Sequence, residues 1–315
     1  MSLVVARKIK NNIIIMSDTK LTYKDKVERN KITSGTIKTV IIGKEINLSF
    51  AGETLYAKEA LNWIEENQQK INVNDLIVYL ENINKKSEFE TDFILCIGDK
   101  ESVHSKIIQI KDGQISNVVS SWIGSITAFN KYQEAFHSFN EKKLDSLFGG
   151  GAVSLNVIKL PSKDNEFNEF YIKNFYAMNE VIEDSEITEV DGFIISSVYT
   201  EGSFHYMGYF YCFPISEKMK LKDISANKVL SLGSREEGSY AISVSDGSRV
   251  FLPIFITHGN IGILYKRNKG GLMNPHIYYN ISYSEFTKLL KKSKIKVNFI
   301  EVNIKNNFIR LNNDN

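Results

Sequence analysis

The order of segments along the chain predicts an α+β protein, a four-layer α/β/β/α sandwich with a smaller α+β subdomain appended at its C-terminus. Three observations carry this expectation. The first half opens with short runs rich in Val, Ile and Phe that read as antiparallel pairs. Two consecutive amphipathic helices follow, then strands, two more helices and strands again. The regular alternation of one strand with one helix, which marks a doubly wound parallel sheet, is not the pattern here.

Taken in order, Leu3 to Ile9 and Ile13 to Ser17 flank a Lys10-Asn11-Asn12 turn and read as a hairpin. Thr36 to Ile42 and Ile46 to Ala51 make a second pair around Gly43-Lys44. Glu53 to Gln69 carries Leu55, Ala60, Leu61 and Ile64 at helical spacing, and Val73 to Asn84 repeats the pattern with Leu76, Ile77, Leu80 and Ile83. Asp75, or Asn74 before it, is the expected cap of that second helix. Strands return at Asp92 to Gly98, Ser105 to Ile110 and Gln114 to Val119, the last two joined by Asp112-Gly113. A helix from about Ser125 to Leu144 ends towards Gly149-Gly150-Gly151, and another spans Asn165 to Glu183. Strands at Gly192 to Thr200 and Ser203 to Phe213 close the first domain, residues 2–213.

Beyond Pro214 the texture changes. Ser239 to Val244, Phe251 to Thr257, Ile261 to Tyr265 and Ile277 to Tyr279 are short β-like stretches interrupted by glycines. A helix around Tyr283 to Lys292 and a strand at Val297 to Ile304 follow, so residues 214–315 form an extension to which the residues assign no role.

Composition narrows the function classes. The 315 residues carry 39 Lys plus Arg against 37 Asp plus Glu, a net charge of +2 that gives no electrostatic argument for nucleic acid or an acidic membrane surface. No apolar run approaches a membrane span, and the N-terminus lacks the order of a signal peptide. Two cysteines, Cys96 and Cys212, are too few for a disulfide framework or a zinc site. The expectation is a cytoplasmic protein with no nucleic-acid or membrane partner. His104, His137, His205, His258 and His276 show no metal-ligand spacing, and no metal is expected.

The informative feature is Ser2, placed directly before an apolar strand. Removal of Met1 is expected when a small residue follows, and leaves Ser2 with a free α-amine that titrates near 8. One residue then supplies both a hydroxyl nucleophile and the base that takes its proton. Such a site needs a cation to tune it and a carboxylate to hold the cation. Asp18, at the end of the strand that returns against the first, and Lys38, at the start of the next, are the candidates. Gly52, closing the fourth run, offers a backbone N–H to an oxyanion and room for close approach. Each also has a purely structural reading: Asp18 as a turn former, Lys38 as an edge-strand charge, Gly52 and Ser125 as helix caps, Phe50 as core.

Together these residues resemble the proteasome β-subunit and HslV branch of the N-terminal nucleophile hydrolases. From Ser2 to Asp18 is sixteen positions, the family's spacing from nucleophile to Asp, and Ile13-Ile14-Ile15-Met16-Ser17-Asp18 is followed four residues later by Thr22. From Lys38 to Gly52, within Phe50-Ala51-Gly52, is fourteen positions, the family's spacing from its catalytic Lys to the Gly that closes the next strand. Trp122-Ile123-Gly124-Ser125 followed by Ala128 is similar to the family's Gly-Ser turn into a helix. The resemblance covers roughly residues 2–213. It implies the four-layer fold, hydrolysis of peptide bonds without a cofactor, and a homo-oligomeric ring acting on peptides or unfolded proteins, with an ATPase partner left open.

It further implies that Ser125 supports the N-terminal amine, that Thr22 and Gly52 flank a groove where substrate pairs as a strand, and that Phe50 lines the adjoining pocket. The chain departs from the family in having Ser as nucleophile and four extra residues between Asp18 and Lys38, where Lys31 is a second candidate cation. The family's second acid falls on Asp184 or on Asp191, and both stay open. Two other functions compete with the peptidase: an inactive proteasome-like scaffold or peptide-binding subunit, and an amidohydrolase acting on a small amide.

Overall fold

The computed structural model describes residues 2–21, 35–67, 72–99, 104–140, 155–158, 160–214, 239–256, 260–268, 271–299, 302–305 and 308–311. Thr22, Lys31 and the triple glycine at 149–151 lie outside these residues. The fold is mixed α+β, with five helices and three larger antiparallel sheets among the described residues, plus a two-stranded ribbon.

The first sheet grows from the N-terminal hairpin. Strands β1 (Leu3–Ile9) and β2 (Asn12–Ser17) pair antiparallel with Val4 opposite Ser17 and Ile9 opposite Asn12. Lys10 turns the chain with a positive φ of 52°. Leu3 to Ala6 and Ile13 to Met16 are all buried, so the hairpin is covered on both faces, which explains its continuous apolar runs. Strand β8 (Ser120–Gly124) joins β1, while β10 (Ile195–Thr200) and β11 (Ser203–Met207) extend the other edge, giving the order β11-β10-β2-β1-β8.

The second sheet has the order β3-β4-β5-β6-β7: Thr39–Ile41, Ile46–Gly52, Thr91–Ile97, Lys106–Lys111 and Gln114–Val118. Helices α1 (Thr54–Asn67) and α2 (Val73–Lys86) lie on it, burying Ala57, Ala60, Leu61, Ile64, Leu76, Leu80 and Ile83 against Leu48, Phe50, Phe93 and Leu95. The cap of α2 is Asn72, whose side chain accepts the Asn74 N–H at 2.9 Å, in place of the expected Asn74 or Asp75. The opposite face of this sheet meets the first sheet, with β1 against β4 and β6, and Asn47 Nδ2 donating to Ser197 Oγ at 3.1 Å across the interface. On the far side of the first sheet, α3 (Ile126–Ser138) packs on α4 (Asn165–Glu183), and α4 packs on β2.

The third sheet has the order β16-β15-β14-β13-β12-β9: Met273–Tyr278, Ile261–Arg267, Phe251–Ile256, Ser239–Val244, Tyr209–Pro214 and Leu155–Ile158. It draws strands from both sides of Pro214 and shares one large core with the first sheet through Tyr209, Ile242, Val244, Leu252 and Ile254. Helix α5 (Tyr283–Lys292), opened by a Ser282–Glu285 capping box, covers it with Phe286 and Leu290. Strands β17 (Val302–Lys305) and β18 (Phe308–Leu311) form the ribbon.

The third sheet also grips the segment that leads into β3. Ile37 N donates to Met273 O at 3.2 Å, Thr36 Oγ1 donates to the same carbonyl at 3.0 Å, and Tyr206 OH donates to Thr39 O at 2.8 Å. The Arg267 guanidinium pairs with Glu65 of α1, with Nε 3.0 Å from Oε1. Residues 36 to 39 are thus held from the first and third sheets at once, and Lys38 sits in their middle.

Candidate active site

The polar cluster forms where β1 begins. Ser2 precedes the first strand, and its carbonyl oxygen accepts the Ser125 N–H at 2.7 Å. Gly124 makes that approach feasible: its φ is +104°, and a Cβ there would stand 1.9 Å from Ser2 O. Ser125 is the N-cap of α3, its Oγ accepting the Ala128 N–H at 3.2 Å. The same hydroxyl donates to Glu189 Oε1 at 3.0 Å.

Asp18 follows β2 directly and organises the other side. Its Oδ1 accepts the Leu3 N–H at 3.0 Å, and its Oδ2 accepts the Lys20 N–H at 3.0 Å and the Lys38 ammonium at 2.7 Å. The Asp191 N–H points at the same Oδ2 from 3.5 Å. The Asp18 and Lys38 side chains are 0% and 2% exposed, so this is a buried ion pair. Burial pulls the Lys38 ammonium below the usual lysine range, and the Asp18 charge opposes that pull. Such a pair is tolerable because both carboxylate oxygens accept hydrogen bonds; with one partner removed, the other would be left charged and dry.

Lys38 is anchored to the second sheet, since its carbonyl accepts the Phe50 N–H at 3.0 Å. Gly52 closes β4 opposite Thr91 with φ +114°; a Cβ there would stand 1.9 Å from Glu90 O, so the close backbone contact is itself enough to require glycine. Phe50 is a correction to expectation. It packs with Leu48, Phe93 and Ala60 beneath α1 and α2, whereas Ala51 belongs to the core between the sheets. Strand alternation thus turns Phe50 away from the first sheet, and it does not line a pocket beside Ser2.

The two acids left open by the sequence are placed apart. Asp184 ends α4 and pairs with Lys131 of α3 at 2.9 Å, a contact that lowers its carboxyl from the usual range. It belongs to the helical flank. Asp191 lies in the cluster: its carbonyl accepts the N–H groups of Thr19 and Lys20, and its Oδ1 accepts the Gly192 N–H at 2.5 Å. Burial pushes Asp191 up to about 6, against the Gly192 hydrogen bond and the Lys20 charge. Glu189 was missed by sequence reasoning. It stands in a short loop with no periodicity, and its contact with Ser125 spans 64 positions, so no local pattern marks it.

Among the described residues, no three His, Cys, Asp or Glu side chains come together as a metal site, and no helix is long and apolar enough to cross a membrane. Cys96 is fully buried in β5, and burial raises its thiol well above the ordinary range. The chain matches no protein-family model, and no curated protein matches it.

Proposed function

We propose that the protein is an N-terminal-serine amide hydrolase, a proteasome-like N-terminal nucleophile enzyme that cleaves peptide bonds. The observation that carries the reading is the Asp18 carboxylate, which holds the Leu3 N–H next to Ser2 with one oxygen and the Lys38 ammonium with the other. The backbone next to Ser2, the cation and the acid are thereby joined at one strand end, from positions far apart in sequence. The helix-on-sheet and sheet-on-sheet contacts support the finer fold reading, a four-layer α/β/β/α sandwich.

With Met1 removed, Ser2 Oγ attacks the substrate carbonyl while the Ser2 amine takes its proton, directly or through a water. Lys38 favours the alkoxide electrostatically, and Asp18 fixes Lys38. The developing oxyanion is assigned to the Gly52 N–H. The C–N bond breaks, the departing amine takes the proton, and water then cleaves the Ser2 ester. Ser125, held by Glu189, orients the amine. Assembly into a homo-oligomeric ring, and service by an ATPase, belong to the same reading.

The test is digestion of an unfolded protein and of a panel of small amides by the Met1-less protein and by Ser2→Ala. Short peptides that vanish with Ser2→Ala support the peptidase. Turnover of a small amide alone supports the amidohydrolase instead, and no Ser2-dependent turnover supports an inactive scaffold.

A further inference from the structure

Helix α1 carries four charged side chains, and the fold pairs two of them. Glu59 takes the Lys86 ammonium of α2 on both oxygens, at 2.8 and 2.9 Å, and Glu65 takes Arg267 of β15. Lys58 and Glu66 remain. Both are exposed, and among the described residues neither forms an ion pair. Lys58 stands four positions before Asn62 and Glu66 four after it, so the three make one row along the helix. Two turns apart, about 12 Å along the axis, Lys58 and Glu66 lie beyond the i+3 and i+4 neighbours that pair within a helix.

This row borders an open groove on the outer face of the helix layer, away from the second sheet. The apolar part of the groove is contiguous. Trp63 stacks on Tyr79 of α2 with ring centroids 4.3 Å apart and planes 14° from parallel, and Leu55, 67% exposed, adjoins them. Aromatic side chains are enriched at the centres of protein interfaces, with charged groups kept to the rim, and that is the arrangement here. The charge pattern says what covers it. A partner of one net sign would match one end of the row and oppose the other. A second α1, laid antiparallel across a two-fold axis at Asn62, matches both: Lys58 meets the partner's Glu66, and Glu66 meets the partner's Lys58. Asn62 meets its own copy, and a carboxamide can both donate and accept.

We infer that the outer face of α1 is an isologous interface between two copies of this chain. Leu55, Trp63 and Tyr79 supply its apolar centre, and the two Lys58–Glu66 contacts set its register. Exposed ion pairs add little affinity by themselves. Their part is selection: a parallel arrangement would set Lys58 against Lys58 and Glu66 against Glu66, so only the antiparallel one is free of like-charge contacts. Neither Ser2 nor hydrolysis enters this interface. An isologous contact closes at two copies, or joins two assemblies built through other faces.

The test is sedimentation velocity of the full chain over a concentration series. Lys58→Glu and Glu66→Lys each put like charges at both ends of the interface, and each is expected to weaken association at least about tenfold. Lys58→Glu then presents two acids along the row and Glu66→Lys two bases, so an equimolar mixture of these variants should pair where neither does alone. The double variant Lys58→Glu/Glu66→Lys should recover the wild-type affinity. Leu55→Ser should weaken association without altering this pattern, and Lys291→Glu, on α5, should leave it unchanged. Both row residues are exposed, so unchanged circular dichroism is expected throughout. If copies also associate through other faces, the same variants halve the assembly instead of yielding monomers. A wild-type chain that stays unassociated up to about 100 μM would overturn the inference. So would association that survives both reversals, or a loss that neither the mixture nor the double variant repairs.

Discussion

Replacing Asp18 by Asn removes one charge from the most buried contact of the site and leaves its shape nearly intact. The carboxylate accepts from Leu3 N, Lys20 N and Lys38 Nζ at 3.0, 3.0 and 2.7 Å, and Lys38 is 2% exposed on its side chain. An amide cannot satisfy this set: one end is a donor and would face either the Leu3 N–H or the Lys38 ammonium. Breaking one partner of a buried pair leaves the other uncompensated, at about 3–5 kcal/mol. In a chain of this size that is a fall in Tm of about 6–10 °C, at roughly 2 °C per kcal/mol. Lys38→Met costs a similar amount, because Asp18 is then the orphan. The double variant Asp18→Asn/Lys38→Met loses no further charge balance, so the two costs should fall short of additivity by at least about 2 kcal/mol. Urea unfolding followed by circular dichroism, at constant m-value, measures all three. Single-variant costs below about 1 kcal/mol that simply add would refute the coupled buried pair, and the site built on it.

Three further outcomes are expected. Gly124→Ala places a methyl 1.9 Å from Ser2 O at a φ of +104°, so it should cost at least about 2 kcal/mol and abolish Ser2-dependent chemistry, both read on one sample by denaturation and by covalent labelling. Asp191 titrates at about 6, above its unfolded value near 4, so the native state binds the extra proton and stability falls as pH rises from about 4 to 6. Asp191→Asn should flatten that slope; thermal unfolding at half-unit pH intervals decides. Ser125→Ala removes the cap of α3 and should cost about 1 kcal/mol, while slowing labelling of Ser2 more than the stability loss explains; a labelling rate equal to wild type would separate the cap from the site.

What was legible in the sequence was what is local. The β1–β2 hairpin announces itself through apolar runs around Lys10, and α4 through a periodicity that holds from Asn165 to Glu183. The spacing from Ser2 to Asp18 picks out the carboxylate that takes the Leu3 N–H and the Lys38 ammonium, whereas Gly52, fourteen positions after Lys38, lies against Glu90 and Thr91. Strand β8 was missed because Ser120, Ser121 and Gly124 dilute its pattern, and its pairing with β1 joins Leu3 to Gly124 across more than a hundred residues. Strand β9 is four residues long and pairs with β12, far along the chain. The run from Ser203 to Phe213 reads as one strand, yet it divides at Gly208 between the first and third sheets, at a point so close to Val244 O that a Cβ would stand 2.7 Å from it. Phe50 shows the limit of spacing arguments: one step along β4 changes the face, and only the partner layers say which face looks towards Ser2.

The most direct test of the central claim is the intact mass of the purified protein before and after exposure to a peptide epoxyketone, a reagent that consumes both a hydroxyl and a free amine on one residue. The account predicts a chain lacking Met1 that gains one adduct per molecule, with no adduct on Ser2→Ala. A retained Met1, or an adduct that persists in Ser2→Ala, would contradict it.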